Sequence, residues 1–220
     1  CRVAARQTRS KHGPAFAMDG RVRKRQLGRT GLEVTELALG TWGLSGAAYG
    51  PIPESEVDRT IDRAVSLGIT LFDTADCYGR GEMERKLGKR LPVARTQVVT
   101  KIGTNLDGFA EKAFDSQSLF MAFERSQERL RRDSIEVLLL HNPSKATFDS
   151  DEPFELMARL KAENRIRCWG VSACSKAIAE RAIERGAEVL EMAYNCFFYH
   201  DVADLMLRMR TEGVGLLARS

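Results

Sequence analysis

Short apolar runs and helical apolar patterns take turns along this chain. After a polar opening, Lys24 to Leu27 and Leu32 to Val34 flank the turn Gly28-Arg29-Thr30-Gly31, and this reads as a short hairpin. Strands are then expected at Leu37–Trp42, Thr70–Asp73, Val98–Lys101, Val137–His141, Trp169–Ser172, Val189–Ala193 and Gly215–Ala218. Between them lie amphipathic patterns with a helical period. One follows Pro53, with Ser55 as expected N-cap and Val57, Ile61, Ala64, Val65 and Gly68 on one face. Others are Leu119/Ala122/Phe123/Ser126/Leu130, Ile178/Ala182/Ile183 and Val202/Leu205/Met206/Met209.

Apolar strands separated by such helices predict right-handed βαβ units and a parallel sheet. A doubly wound dinucleotide fold would carry GxGxxG after its first strand. The corresponding residues here are Gly40-Thr41-Trp42-Gly43. Polar residues close strand after strand: Asp73, Lys101, His141 and Ser172. In a (β/α)8 barrel the chemistry sits at that end of the strands. The expected class is therefore α/β, a TIM-type (β/α)8 barrel with an N-terminal β-hairpin. Seven strands and six intervening helices are counted, so one strand and two helices of a closed barrel are missing. If residue 220 were the end of the polypeptide, the first and seventh strands would have unpaired edges, an aggregation hazard. A truncated product or a partial sequence is the expected explanation.

Composition changes the picture in three places. The net charge is +4, but residues 1–17 hold Arg2, Arg6, Arg9 and Lys11 and no acid. Residues 18–220 are thus neutral, and no nucleic-acid partner is expected. Residues 1–17 read as a fragment of something longer, an organelle presequence or, preferred here, an over-extended start that is disordered. Residues 18–220 form the expected barrel domain. Cys1, Cys77, Cys168, Cys174 and Cys196 are odd in number with no CxxC pair, which suits a reduced, cytoplasmic setting. Cys77 reads as a small space-filler. No run is long and apolar enough to cross a bilayer, so no membrane partner is expected.

The candidate chemistry starts at Asp73, a carboxylate closing an apolar strand, which is costly unless something pairs with it. Lys101, on the next strand, answers it. A phenol has an unperturbed pKa of about 10, and a neighbouring ammonium lowers it. Tyr78 beside Lys101 is thus a candidate general acid for carbonyl reduction, or a base in reverse, with His141 orienting the carbonyl oxygen. The sequence shows no nucleophile–base pair and no metal-ligand spacing. The hydride would come from a nicotinamide. Each residue has a plainer reading: loop acid for Asp73, strand-end cation for Lys101, core histidine for His141. Their shared position at strand ends favours the chemical one. Trp42 and Tyr49 are candidate pocket walls, with His141. Tyr199 and His200 are expected on a loop surface, and Glu124 to Arg132 is the solvated face of a helix.

The chain resembles the aldo-keto reductases. The resemblance rests on Arg25-Gln26-Leu27-Gly28, Gly40-Thr41-Trp42, Asp73-Thr74-Ala75 with Tyr78-Gly79, Glu84, Leu87-Gly88 and Val99-Thr100-Lys101. It continues through Leu140-His141 before Pro143, Gly170-Val171-Ser172 and Gly213-Val214-Gly215 to Ser220. It implies an oxidoreductase that reduces aldehydes or ketones, or oxidises the alcohol, with NADPH or, as an alternative, NADH. The implied tetrad is Asp73, Tyr78, Lys101 and His141, with Tyr78 as proton donor. The implied cofactor residues are Gly40, Thr41, Trp42, Asp73, Ser172, Glu191, Arg219 and Ser220. The chain departs from the family's usual pattern at three places: Ala173 for Asn, Glu191 for Gln, and Arg219 for an aromatic. The rival reading is a barrel that binds or regulates without catalysis, or an inert fragment.

Overall fold

The computed structural model describes residues 22–106 and 111–219. Expectations for residues 1–17 and for Ser220 lie outside the described residues. Strands β1 (Lys24–Gln26) and β2 (Glu33–Thr35) form the antiparallel hairpin. Seven strands then follow: β3 (Ala38–Gly40), β4 (Leu71–Asp73), β5 (Gln97–Ile102), β6 (Ile135–His141), β7 (Ile166–Ser172), β8 (Val189–Ala193) and β9 (Gly215–Arg219). They are all parallel and pair in chain order from β3 to β9. Six helices connect them: α1 (Glu54–Ser66), α2 (Glu82–Arg90), α3 (Ser116–Leu130), α4 (Glu152–Ala162), α5 (Lys176–Glu184) and α6 (His200–Glu212). This is the expected incomplete (β/α) barrel: a curled seven-stranded sheet with its hairpin.

Successive strand residues face opposite sides of a sheet, and that period sorts this core into two. Outward residues Phe72, Val98, Ile102, Leu138, Leu140, Val171 and Leu190 pack with helix residues such as Ile61, Leu87, Phe123, Leu160 and Leu205. Inward residues Leu71, Val99, Val137, Leu139, Cys168 and Val189 form a second cluster with Leu27, Leu32 and Val34 of the hairpin segment. The hairpin thus stoppers the N-terminal end of the sheet's interior. Gly28 makes this docking possible: its φ is +56°, and a Cβ there would lie 2.4 Å from the Gly213 carbonyl oxygen. The Arg29 amide donates to that same oxygen at 2.7 Å.

Local readings are corrected in three places. Ser55 lies inside the first turn of α1, and Pro53 occupies the cap position without a side-chain hydrogen bond. Proline's fixed φ suits a helix start. β3 is shorter than expected because Thr41 turns its backbone onto Asp73 and Trp42 leads a 3-10 turn at Gly43–Ser45. His200 opens α6, with Tyr199 at its cap, although both are exposed. α2 buries two charged residues, Glu84 and Lys86, beside Met83 and Leu87. There Glu84, fully buried, accepts from Thr100 Oγ1 at 2.5 Å and pairs with Arg129 Nε at 2.7 Å. Among the described residues, no helix is long and apolar enough to cross a membrane.

Candidate active site

The same inward period that places Leu71, Val99, Leu139 and Val189 carries on to Asp73, Lys101, His141 and Glu191, two residues further along each strand, and on β7 it runs from Cys168 through Gly170 to Ser172. On β9 the step from Leu217 reaches Arg219. The interior is apolar at the hairpin end and polar at the other. Backbone register fixes the levels: Gly40 pairs with Asp73, His141 with Ser172, Ser172 with Glu191, and Ala193 with Arg219.

Lys101, fully buried, is the hub. Its Nζ donates to both Asp73 oxygens at 2.7 Å and to the Thr74 carbonyl at 3.0 Å. Those three bonds match its three N–H donors. Glu191 Oε2 lies 3.2 Å from the same nitrogen, an ion-pair distance without hydrogen-bond geometry, and is left with no hydrogen bond. Glu191 Oε1 accepts from Ser172 Oγ at 3.2 Å and pairs with Arg219 Nε at 3.5 Å. Burial works against the Lys101 charge, but the charges of Asp73 and Glu191 outweigh it and hold the ammonium well above its usual range. Burial raises the Asp73 carboxyl above its usual range; Lys101 opposes the rise and the Glu191 charge adds to it.

The loop after β4 runs along β5: the Thr74 amide donates to Val99 O at 2.8 Å and the Asp76 amide to Lys101 O at 3.1 Å. It then turns, and Tyr78 comes to rest with its ring centroid 5.2 Å from Lys101 Nζ. The His141 ring stands edge-on to that of Tyr78, centroids 5.9 Å apart. The tyrosine is therefore beside the ammonium, but Lys101 faces the ring. Burial pushes the phenol up, to about 12; Lys101 draws it down, while Asp73 and Glu191 add to the rise. The expected lowering of the Tyr78 pKa is thus corrected: burial outweighs the pull of Lys101, and the two carboxylates add to the rise. His141 is held down, to about 3, by burial and then by Lys112, Lys101 and Arg219, so its ring is neutral at pH 7.

Thr41, fully buried, donates through both N and Oγ1 to the Asp73 carbonyl, at 2.9 and 3.0 Å. Gly40 ends β3 beside Asp73. Trp42 and Tyr49 form an edge-on aromatic pair, centroids 6.0 Å apart, with Trp42 half exposed and Tyr49 mostly exposed.

Three residues near these side chains have no reading in the sequence. Lys112 Nζ donates to His141 O at 2.8 Å and Thr104 Oγ1 at 3.1 Å, tying the loop after β5 to the end of β6. Asn142, at φ +52°, brings its Oδ1 to 3.4 Å from Ser172 Oγ. Asp76 is buried, and among the described residues neither of its oxygens has a partner at full hydrogen-bond geometry. A buried charge-bearing loop residue was the only available signal, and a single sequence does not display burial.

A reduced or oxidised nicotinamide fits this donor set in part. The Glu191 Oε2 acceptor, buried and without a hydrogen bond, suits a carboxamide amino group. Ala173 supplies no amide, whereas Asn142 brings one beside Ser172.

A profile of the Aldo/keto reductase family matches residues 36–220. L-galactose dehydrogenase of Arabidopsis thaliana is 29% identical over 212 residues, 91% of this chain and 65% of that protein. Aldo-keto reductase YhdN of Bacillus subtilis (strain 168) is 34% identical over 148 residues, 65% of this chain and 44% of its own length. Among solved structures, aldo-keto reductase AKR11C1 from Bacillus halodurans in its holo form superposes with a TM-score of 0.79 at 26% identity. That match covers 90% of this chain and 65% of the other. Glycerol dehydrogenase AKR11B4 from Gluconobacter oxydans gives 0.76 at 26% identity, covering 89% of this chain and 62% of the other. The chain thus spans less than two thirds of the length of these four proteins. By the profile match, the order of its strands and these likenesses, the chain belongs to the aldo/keto reductase family.

Proposed function

We propose that the protein carrying this chain interconverts a carbonyl compound and its alcohol with NADPH or NADH, using Asp73, Tyr78, Lys101 and His141. The observation that supports this most is the Lys101 hub, held by Asp73 at 2.7 Å with the Tyr78 ring at 5.2 Å. A bound reduced nicotinamide would supply hydride, with Thr41, Ser172, Glu191 and Arg219 as the residues to hold it. Gly40, Trp42 and Ser220 are the remaining cofactor residues of this reading, and Trp42 and Tyr49 wall the substrate pocket.

Tyr78 then delivers the proton to the carbonyl oxygen. Its raised pKa does not forbid this. An alkoxide is about as basic as hydroxide, whose conjugate acid has a pKa of about 15.7, so a phenol near 12 still gives up its proton readily. Lys101 stabilises the phenolate left behind, and Asp73 keeps Lys101 oriented. His141, neutral, offers an uncharged N–H to the same oxygen without competing as an acid. The names of relatives that act on L-galactose and glycerol support a small polyhydroxylated substrate class.

The test is nicotinamide absorbance with the purified protein, NADPH and NADH, and a panel of small aldehydes, ketones and polyols. Tyr78→Phe is expected to cut kcat by about 100-fold or more while its circular dichroism stays unchanged. Undiminished turnover in Tyr78→Phe, or a wild type whose fluorescence fails to respond to either nucleotide, overturns the reading.

A further inference from the structure

The loop after β4 and the end of β6 bring together three side chains that ligate metals. One donor atom each from Asp76, Cys77 and His141 lies within 4.8 Å of the other two. Cys77 Sγ is 3.5 Å from His141 Nδ1. In a tetrahedral zinc site, sulfur at about 2.3 Å and nitrogen at about 2.1 Å from the metal stand about 3.6 Å apart. The pair therefore already has the spacing of one tetrahedral edge. Asp76 supplies an independent observation. It is 1% exposed, and neither of its oxygens has a partner at full hydrogen-bond geometry among the described residues. Buried acceptors left unpaired are costly, and a cation would satisfy this one.

The donor set selects the metal. One sulfur, one imidazole nitrogen and one carboxylate suit zinc and its neighbours in the first transition row, whereas magnesium and calcium take oxygen ligands. We propose that Asp76, Cys77 and His141 form a binding site for a divalent cation of the zinc class, with a fourth position left to water. With Asp76 ionised, binding removes one proton: the Cys77 S–H bond breaks, an S–metal bond forms, and the proton leaves to solvent with no change of oxidation state; where Asp76 is protonated, its proton leaves as well. His141 ligates through Nδ1 as the neutral ring. Lys112, Lys101, Arg129 and Arg219 bear on these side chains and oppose a cation, while Glu84 favours one. Ligation at Nδ1 leaves the Nε2–H but fixes the His141 ring on the metal rather than on a carbonyl oxygen, so occupancy would inhibit carbonyl turnover; that half of the proposal rests on the proposed function above.

Cobalt(II) reports the site directly. Adding Co2+ alone to the metal-free full chain is expected to saturate near one equivalent and give a thiolate-to-cobalt charge-transfer band, displaced by Zn2+. Cys77→Ser is expected to abolish the band, and Asp76→Asn to weaken binding by roughly tenfold or more, at least the loss seen for outer partners. A Cys174→Ser/Cys196→Ser double variant is expected to keep it, since both of those thiols are exposed. Circular dichroism checks that each variant folds, and Cys77→Ala replaces any Cys77→Ser protein that does not. No band in the wild type, or a band that survives in Cys77→Ser and disappears from the double variant, overturns the site. Cobalt binding without loss of turnover overturns only the inhibitory half. A protein that binds cobalt yet turns over no carbonyl leaves the site standing and removes the enzyme reading instead.

Discussion

At the residue scale, burial raises the Tyr78 phenol, and Asp73 and Glu191, crowded around Lys101, raise it further. Glu191 raises both the Asp73 carboxyl and the Tyr78 phenol. Replacing it with neutral glutamine, Glu191→Gln, keeps an acceptor near Lys101 and removes one negative charge. The sign follows: less negative charge makes the phenolate easier to form, so the Tyr78 pKa falls. In the reductive direction the protonated phenol is the active form. The alkaline limb of kcat against pH should therefore move to lower pH in Glu191→Gln, with nucleotide affinity measured separately by fluorescence. A limb that stays put or moves up would show that Glu191 does not act on Tyr78. The acid and its lysine were legible in the sequence because an apolar strand ending in Asp73 needs a partner. The competition between two carboxylates for that lysine was not, because Glu191 reaches Lys101 only through the order of strands β4, β5 and β8.

At the element scale, the strands were legible to within three residues at either end, since β4 to β9 are short apolar runs carrying a polar residue at or near their C-terminal end. Charged residues on a buried face were not legible. α2 buries Glu84 and Lys86 along with Met83 and Leu87. Close approach is equally invisible in a pattern of apolar and polar letters. Gly170 sits in β7 where a Cβ would lie 1.8 Å from the Val189 carbonyl oxygen of β8. Gly170→Ala must push β8 outward, moving Ser172 relative to Glu191. We expect a loss of about 1–3 kcal/mol or more in urea unfolding, together with weakened nucleotide binding. A variant as stable as the wild type would mean that β7 and β8 separate without cost. Asp76, Cys77 and His141 illustrate the same limit: adjacent letters and a histidine 64 positions on become neighbours only when β4 and β6 flank β5.

At the scale of the whole molecule, the polar cluster makes stability depend on pH. His141 is held down to about 3 in the fold, against an unfolded value of about 6.5. The unfolded chain thus binds a proton that the folded one refuses. Stability from this group is complete above pH 6.5 and is lost as pH falls towards 3, amounting to about 2 kcal/mol by pH 5. Asp73 and Asp76, both raised by burial, act in the opposite sense over the same range. The His141 share is therefore read as the difference between wild type and His141→Gln in urea unfolding at pH 7 and pH 5. His141→Gln should lose less stability on acidification; equal losses would show that the ring titrates normally in the fold.

The inward face of the sheet has a consequence for how this chain tolerates change in length. Stopper and reactive groups are successive members of a single two-residue rhythm, Leu71 to Asp73, Val99 to Lys101, Val189 to Glu191. Sliding one strand by a single residue would point its acid or base at the helices and bring an aliphatic side chain into the cluster. Insertions and deletions should accordingly be absorbed in the connecting loops, and a one-residue insertion within β8 should silence the cluster while leaving the helices to fold around it.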